Sequence, residues 1–161
     1  MQRDLVYVLL SDLRAEASQL PLRHPSLDGT SWISVAGLRV GDTQAVYVNF
    51  VFTRGAQFRV ELYIDGGDQR NNKLIFDTLS AQRREIEAGL GASLTWERLD
   101  DKRGSRVALC HAGTIQSSAG QLARLREWAV RQFVVFYDVF APRVQRIILD
   151  PAPSDCAKGF S

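Results

Sequence analysis

The stretch from Arg59 to Arg106 decides the fold, and it reads RVELYIDGGDQRNNKLIFDTLSAQRREIEAGLGASLTWERLDDKRGSR. Residues 58–65 alternate between apolar and polar, with the two-residue period of a β-strand. The apolar set is Phe58, Val60, Leu62 and Ile64, and the polar set is Arg59, Glu61, Tyr63 and Asp65. This alternation predicts a strand in a sheet with one covered face and one face open to water.

A helix is predicted after a glycine-rich turn in the same stretch. It spans residues 73–88, where apolar residues recur with the helical period. Asn71 or Asn72 is a suitable N-cap, because its side chain can accept a bond from an amide of the first turn. Gly89 or Gly91 can end the helix in a left-handed conformation.

A hairpin completes the stretch. Residues 94–99 predict a strand centred on Trp96, residues 100–104 a charged turn, and residues 105–111 an antiparallel return strand. The other predicted elements are a helix over 4–20, a strand over 32–36 closed by Gly37, a strand over 46–52, a turn at 53–56, and a helix from the Ser118 and Gln121 capping box to Phe140, with Pro142 as its kink or end.

These elements predict an α+β fold, a two-layer sandwich in which an antiparallel sheet of about five strands carries helices on one face. Residues 1–149 are predicted to form a single domain, and residues 150–161 a flexible C-terminal tail.

Composition narrows the function classes. The 161 residues carry a net charge of +2, so no global electrostatic argument favours nucleic acid or a membrane. Arginine supplies 17 of the 20 basic residues, which suits phosphate binding but also fits a codon bias. Cys110 and Cys156 form no metal-binding or disulfide pattern. We find no signal peptide and no membrane-length apolar run, and so predict a cytoplasmic protein. No P-loop and no G-x-G-x-x-G motif occurs, and we predict no cofactor.

The same stretch resembles a bacterial and archaeal domain family of unknown function, whose members are often fused behind restriction-endonuclease-like nuclease domains. The residues that carry the resemblance are VELYID (Val60 to Asp65), Asn72-Lys73, Phe76-Asp77, Arg84 to Glu87 and WERLDDKRGSR (Trp96 to Arg106). The resemblance implies the fold and a link to restriction or defence systems, with a nuclease-type partner, and it implies no catalytic residue. A separate nuclease domain is absent from this sequence, so the chain acts alone, acts in trans, or is a fragment.

Three site hypotheses follow from the residues, each with a structural alternative. The first is a divalent-metal nuclease site at Asp65, Asp100 and Lys102, because such sites combine carboxylates with a lysine. Its alternative is a solvated hairpin turn, in which the charges keep the protein soluble.

The second hypothesis is a binding platform on the open sheet face. Its candidate residues are Arg59, Glu61, Tyr63, Trp96, Arg98 and Arg106. If Trp96 and Tyr63 share a surface, they can stack a base or another planar ligand while the arginines contact phosphate. In the alternative, Trp96 packs under a helix and Glu61 forms a cross-strand ion pair with Arg98 or Arg106.

The third hypothesis is a basic ridge for nucleic acid, formed by Arg70, Arg83, Arg84, Lys102 and Arg103. Its alternative is a solvated helix face neutralised by nearby glutamates. The last helix is also apolar nearly all round, which favours burial on two sides, by the first helix or by a second copy of the chain.

The favoured function is a non-catalytic recognition module that binds nucleic acid or a partner protein. The alternatives are the metal-dependent nuclease and a structural dimerisation domain.

Overall fold

The computed structural model describes residues 2–23, 32–53, 57–112 and 118–149. Within these ranges it shows the predicted α+β architecture, an antiparallel sheet of five strands packed with helices. The elements are α1 (Gln2–Glu16), β1 (Trp32–Val40), β2 (Thr43–Phe52), β3 (Gln57–Ile64), α2 (Gln69–Ser80), α3 (Arg83–Leu90), β4 (Thr95–Glu97), β5 (Ser105–Ala112) and α4 (Ala119–Gln145). The predicted tail at 150–161 and most of the predicted turn at 53–56 lie outside the described residues.

The strand order in the sheet is β1-β2-β3-β5-β4, and every neighbouring pair is antiparallel. Residues directly opposite each other in such a sheet lie on the same face. The register therefore assigns each strand residue to one of two faces.

The helix face carries the core. Phe50 on β2 contacts Phe133 on α4, with ring centroids 5.4 Å apart, and Phe58 on β3 contacts Trp128 on α4 at 6.2 Å. The apolar set predicted on β3 is fully buried there. A side chain of this size stabilises the fold by about 1.5–3 kcal/mol when it leaves water completely.

The helix predicted over residues 73–88 is instead two helices, α2 and α3. Asp68, not Asn71 or Asn72, caps α2, because its carboxylate accepts a hydrogen bond from the Asn71 amide at 2.9 Å. Between Leu79 and Ile86 no residue is buried, and the break between the two helices falls at residues 81–82. Gly91 ends α3 with φ +67°, one of the two positions predicted.

Other boundaries also differ from the prediction: α1 ends at Glu16 instead of residue 20, and β2 begins at Thr43 instead of residue 46. β1 continues through Gly37, which pairs with Tyr47. A side chain would not fit at Gly37, since the Gln44 amide nitrogen lies 2.5 Å from the position that a Cβ would take. β4 is limited to three residues. The predicted capping box at Ser118 is present, but α4 runs past Pro142 to Gln145, since a proline in the last turn interrupts only one backbone bond.

Within the described ranges, no helix has both the length and the apolar character needed to cross a membrane.

Candidate functional site

The register places the two aromatic residues of the predicted platform on opposite sides of the sheet. Trp96 is opposite Val107, which is opposite Leu62 on the helix face. Tyr63 is opposite Arg106 and Tyr47 on the other side. The structure therefore does not bring Trp96 and Tyr63 together.

Trp96 lies under the helices, as the alternative interpretation had it. Its ring contacts Phe76 of α2 and Phe140 of α4, with centroids 6.1 and 6.5 Å away. Its indole N–H donates to Oε1 of Glu87 at 3.0 Å, and the same oxygen accepts from the Leu94 amide at 3.0 Å. These bonds lower the pKa of the Glu87 carboxyl, with the Leu94 amide as the largest cause. Trp96 therefore joins β4 to α2, α3 and α4.

The other side of the sheet, here called the polar face, carries a row of four residues in register across β2, β3, β5 and β4. The row is Tyr47, Tyr63, Arg106 and Glu97. All four side chains are partly exposed. The guanidinium of Arg106 pairs with the Glu97 carboxylate. The polar face thus has two neighbouring tyrosines with an arginine beside them.

Two further contacts shape this row. The Arg23 guanidinium lies over the Tyr47 ring, 5.4 Å from its centroid, and Nη1 of Arg23 is 3.3 Å from the Ser34 hydroxyl. The Tyr63 ring leans over Gly104, where an added Cβ would come within 2.7 Å of the phenolic oxygen. Gly104 therefore lets Tyr63 lie close to the backbone of the hairpin.

The next row on the polar face is buried, and we call it the floor. It consists of Asn49, Glu61 and Ala108, again in register, and each side chain is buried. We predicted that Glu61 would face water, but only 5% of it is exposed. Its neighbours cover it, since Nε of Arg59 lies 2.9 Å from Oε2 of Glu61. Burial raises the pKa of the Glu61 carboxyl, and the charges of Arg59 and Arg106 oppose that rise.

The floor carries unsatisfied polar atoms. The contact between Arg59 Nε and Glu61 Oε2 is not aligned as a hydrogen bond, and both atoms are otherwise buried. In the described part of the chain, Oδ1 of Asn49 also has no hydrogen-bond partner. A third row continues the polar face beyond the floor with Trp32, Val51, Arg59 and Cys110, and Trp32 is 50% exposed.

Sequence reasoning missed Lys73, which lies buried behind the hairpin. Its ammonium donates to the carbonyl oxygens of Arg98 at 2.5 Å, Leu99 at 2.8 Å and Gly104 at 2.6 Å, and it is 3.0 Å from the Ser105 hydroxyl oxygen. Leu99 has a φ of +54°, an unusual conformation for a side chain of its size. Lys73 is therefore a structural cation that fixes the course of residues 98–105. Lys73 is among the residues that carry the family resemblance, but no sequence pattern identified its hydrogen-bond partners.

A comparison with protein-family models decides the family. The model described as "Domain of unknown function (DUF4268)" matches residues 13–144. The chain belongs to the DUF4268 family. The match begins within α1 and ends in the last turn of α4, so the whole DUF4268 sheet and both of its faces fall inside it. Comparisons with curated proteins and with solved structures gave no match.

The acids of the nuclease hypothesis already have basic partners in this DUF4268 chain. Asp65 receives three bonds from Arg103, at 2.7, 2.9 and 3.2 Å, and one each from Asn72 and the Gly67 amide. The Arg103 bond is the main cause that lowers the pKa of Asp65. Asp100 pairs with Arg98, which also bonds to Asp77. Within the described ranges, no three acidic, His or Cys side chains form a group that could hold a metal ion.

The predicted basic ridge is partly neutralised. Arg103 is paired as above, and Arg83 lies over the Trp96 ring and within 3.3 Å of Glu87. Arg70 lines an open cleft of about 460 Å³ next to Asp77 and Arg98. Arg84 and Lys102 are exposed. The ridge residues therefore lie along α2, α3 and the hairpin, with Arg103 near the polar face, and Arg83 and Arg103 each have an acidic partner.

Proposed function

We propose that this DUF4268 chain is a non-catalytic recognition module that binds single-stranded nucleic acid on the polar face of its sheet. One observation carries the proposal: Tyr47 and Tyr63 lie directly opposite each other on neighbouring strands, on the side away from the helices. Adjacent aromatic side chains on an uncovered sheet can each stack on one base, as in the sheet-based modules that bind RNA.

Arginine supplies the second component of such a site. Arg106 is in register with Tyr63, Arg23 covers Tyr47, and Arg59 lies on the next row but one. Each guanidinium has five N–H donors, so one that bonds a carboxylate keeps donors for a phosphate oxygen. The pairing with Glu61 and Glu97 also positions Arg59 and Arg106 before a ligand arrives.

Magnitudes favour a weak and salt-sensitive complex. Stacking contributes about 1–3 kcal/mol per base, so two tyrosines supply at most about 6 kcal/mol. A micromolar complex requires about 8 kcal/mol, so the arginine contacts must supply the remainder. We expect single strands to be preferred over duplexes, because the faces of paired and stacked bases are not available to an aromatic side chain.

The family resemblance supplies the context of the proposal. In a bacterial restriction or defence system, a module of this kind would direct a nuclease-type partner to an exposed strand. The nuclease activity would then belong to the partner, because Asp65 and Asp100 are each paired with an arginine in this chain.

Fluorescence anisotropy with labelled single-stranded DNA, single-stranded RNA and duplex DNA at low salt tests the proposal. We expect binding to both single strands and a loss of about 1–3 kcal/mol for each of Tyr47→Ala and Tyr63→Ala. Tyr7→Ala is the matched control, because Tyr7 is 62% exposed on α1 and is not part of the polar face.

A second pair of variants separates the polar face from the basic ridge. Arg106→Ala should weaken binding and reduce its salt dependence, whereas Arg84→Ala on α3 should change neither. Binding that survives both tyrosine variants, or that depends on Arg84 instead of Arg106, would overturn the proposal.

A further inference from the structure

Two buried acceptors lie beside the tyrosines on the polar face. Glu61 is two residues from Tyr63 on β3, and Asn49 is two residues from Tyr47 on β2. Residues at this spacing on one strand face are roughly 6.6 Å apart. A base stacked on either ring can therefore direct its polar edge toward the floor formed by Asn49 and Glu61.

Both side chains are more than nine-tenths buried, with 3% of Asn49 and 5% of Glu61 exposed. Each has a buried oxygen without an aligned hydrogen bond among the described residues, Oδ1 of Asn49 and Oε2 of Glu61. Such atoms are uncommon in folded proteins, where nearly all buried polar groups are hydrogen-bonded. Two of them on opposite residues of neighbouring strands indicate a place where a donor from a ligand can bind.

We infer that Glu61, with Asn49 beside it, selects bases that carry an exocyclic amine over uracil and thymine. This inference rests on the proposed function and names its preferred ligand. An ionised carboxylate only accepts hydrogen bonds, so it can accept from the N4 amine of cytosine or the N6 amine of adenine. Uracil and thymine present a carbonyl oxygen at that position, and two acceptors facing each other repel.

Arg59 explains how a covered carboxylate can reach a ligand. Its guanidinium covers Glu61 at 2.9 Å but without hydrogen-bond alignment, and 19% of its side chain is exposed. A long side chain in such a contact can turn toward a phosphate and uncover the carboxylate. The base amine then replaces the guanidinium as the donor to Glu61.

Cytosine and uracil provide the most closely matched probes. Oligo-dC and oligo-dU of equal length differ in the group at position 4 and in the proton on N3, and they share the same backbone and a single pyrimidine ring. With the wild-type protein at neutral pH, we expect oligo-dC to bind roughly 10-fold tighter, the effect of one charge-assisted hydrogen bond. Glu61→Gln should abolish the difference, because a carboxamide can accept from an amine or donate to a carbonyl.

Two more variants keep the test decisive. Glu61→Asp keeps the charge but withdraws the acceptor, so it should reduce the preference even if Glu61→Gln proves unstable. Arg59→Ala should weaken binding of both oligonucleotides through the lost phosphate contact and increase the preference for oligo-dC, because no guanidinium then competes with the cytosine amine for Glu61. Equal binding of oligo-dC and oligo-dU that still requires Tyr63 would overturn the inference and leave the proposed function standing. Absence of binding to either oligonucleotide would overturn both.

Discussion

Lys73 shows how one buried charge can organise a loop. Three backbone carbonyls and a hydroxyl converge on its ammonium, and all four come from residues 98–105. Two of these groups also pair with each other, since the Ser105 hydroxyl donates to the Arg98 carbonyl oxygen at 2.7 Å, and the Leu99 carbonyl oxygen accepts from the Lys102 amide at 2.9 Å. The lysine adds a charged donor that joins residues 98–99 to residues 104–105.

Replacing Lys73 with methionine should lower the free energy of unfolding by about 2–4 kcal/mol, because a charge-assisted network is lost and the Gly104 carbonyl oxygen loses its lysine donor. Urea unfolding at neutral pH measures the effect. Lys102→Met at the exposed tip of the same hairpin is the control and should change stability by less than about 0.5 kcal/mol. Equal effects of the two variants would contradict the role assigned to Lys73.

For the residues of β3, the sequence predicted which face of the sheet each side chain lies on, but not which groups it contacts. Alternation along β3 correctly separated Phe58 and Leu62 from Arg59 and Tyr63, since the pleat fixes which residues share a face. The alternation could not show that Glu61 would be buried, because its cover comes from Arg59 and the adjacent strands. Nor could it assign Trp96 to a face, since that depends on the register between β4 and β5.

Among the elements, the hairpin between β4 and β5 connects the polar face with the helices. Its backbone accepts bonds from Lys73, its Arg103 pairs with Asp65 after β3, and Gly104 lies beneath Tyr63. A change in this hairpin is thus transmitted to the tyrosine that the proposal needs.

Gly104→Ala should destabilise the protein by about 1–3 kcal/mol, because the new methyl group would lie 2.7 Å from the Tyr63 hydroxyl and 3.1 Å from the Ile64 carbonyl oxygen. It should also weaken binding of single strands by displacing the Tyr63 ring. Gly120→Ala in the first turn of α4 is the control. Nothing lies within 4 Å of its added Cβ, so it should stabilise the protein by about 0.5–1 kcal/mol. Thermal unfolding and anisotropy measure both effects, and a stabilising Gly104→Ala would contradict the packing described.

The types of the helices and strands were predictable from the sequence, whereas most of their first and last residues were not. The Ser118 capping box marked the start of α4 because both of its side chains act within one turn. The break between α2 and α3 could not be predicted in this way, since it depends on how α4 packs against both helices.

For the whole molecule, the central question is what covers α4. Its apolar residues extend beyond a single stripe, which predicted burial by the first helix or by a second copy of the chain. In the structure other parts of the chain contact this surface, while Val135 stays partly exposed. Asp12 of α1 pairs with Arg126 of α4 at 2.8 Å, Val139 packs against Gly89 of α3, and Trp128 contacts Phe58 and His111.

We therefore expect a monomer. Light scattering coupled to size-exclusion chromatography should give a mass near 18.0 kDa at all accessible concentrations. A mass near twice that value, lost on Val135→Asp on the partly exposed side of α4, would instead support the dimerisation alternative.

The proposed function requires that the polar face is the surface that contacts a nucleic-acid strand. Photo-crosslinking of an oligo-dC strand that carries a photoreactive base, followed by mass spectrometry of the adducts, locates that surface directly. We predict adducts on β2 and β3, centred on Tyr47 and Tyr63. Adducts confined to Arg83, Arg84 and Lys102, on the helices and the hairpin tip, would contradict it.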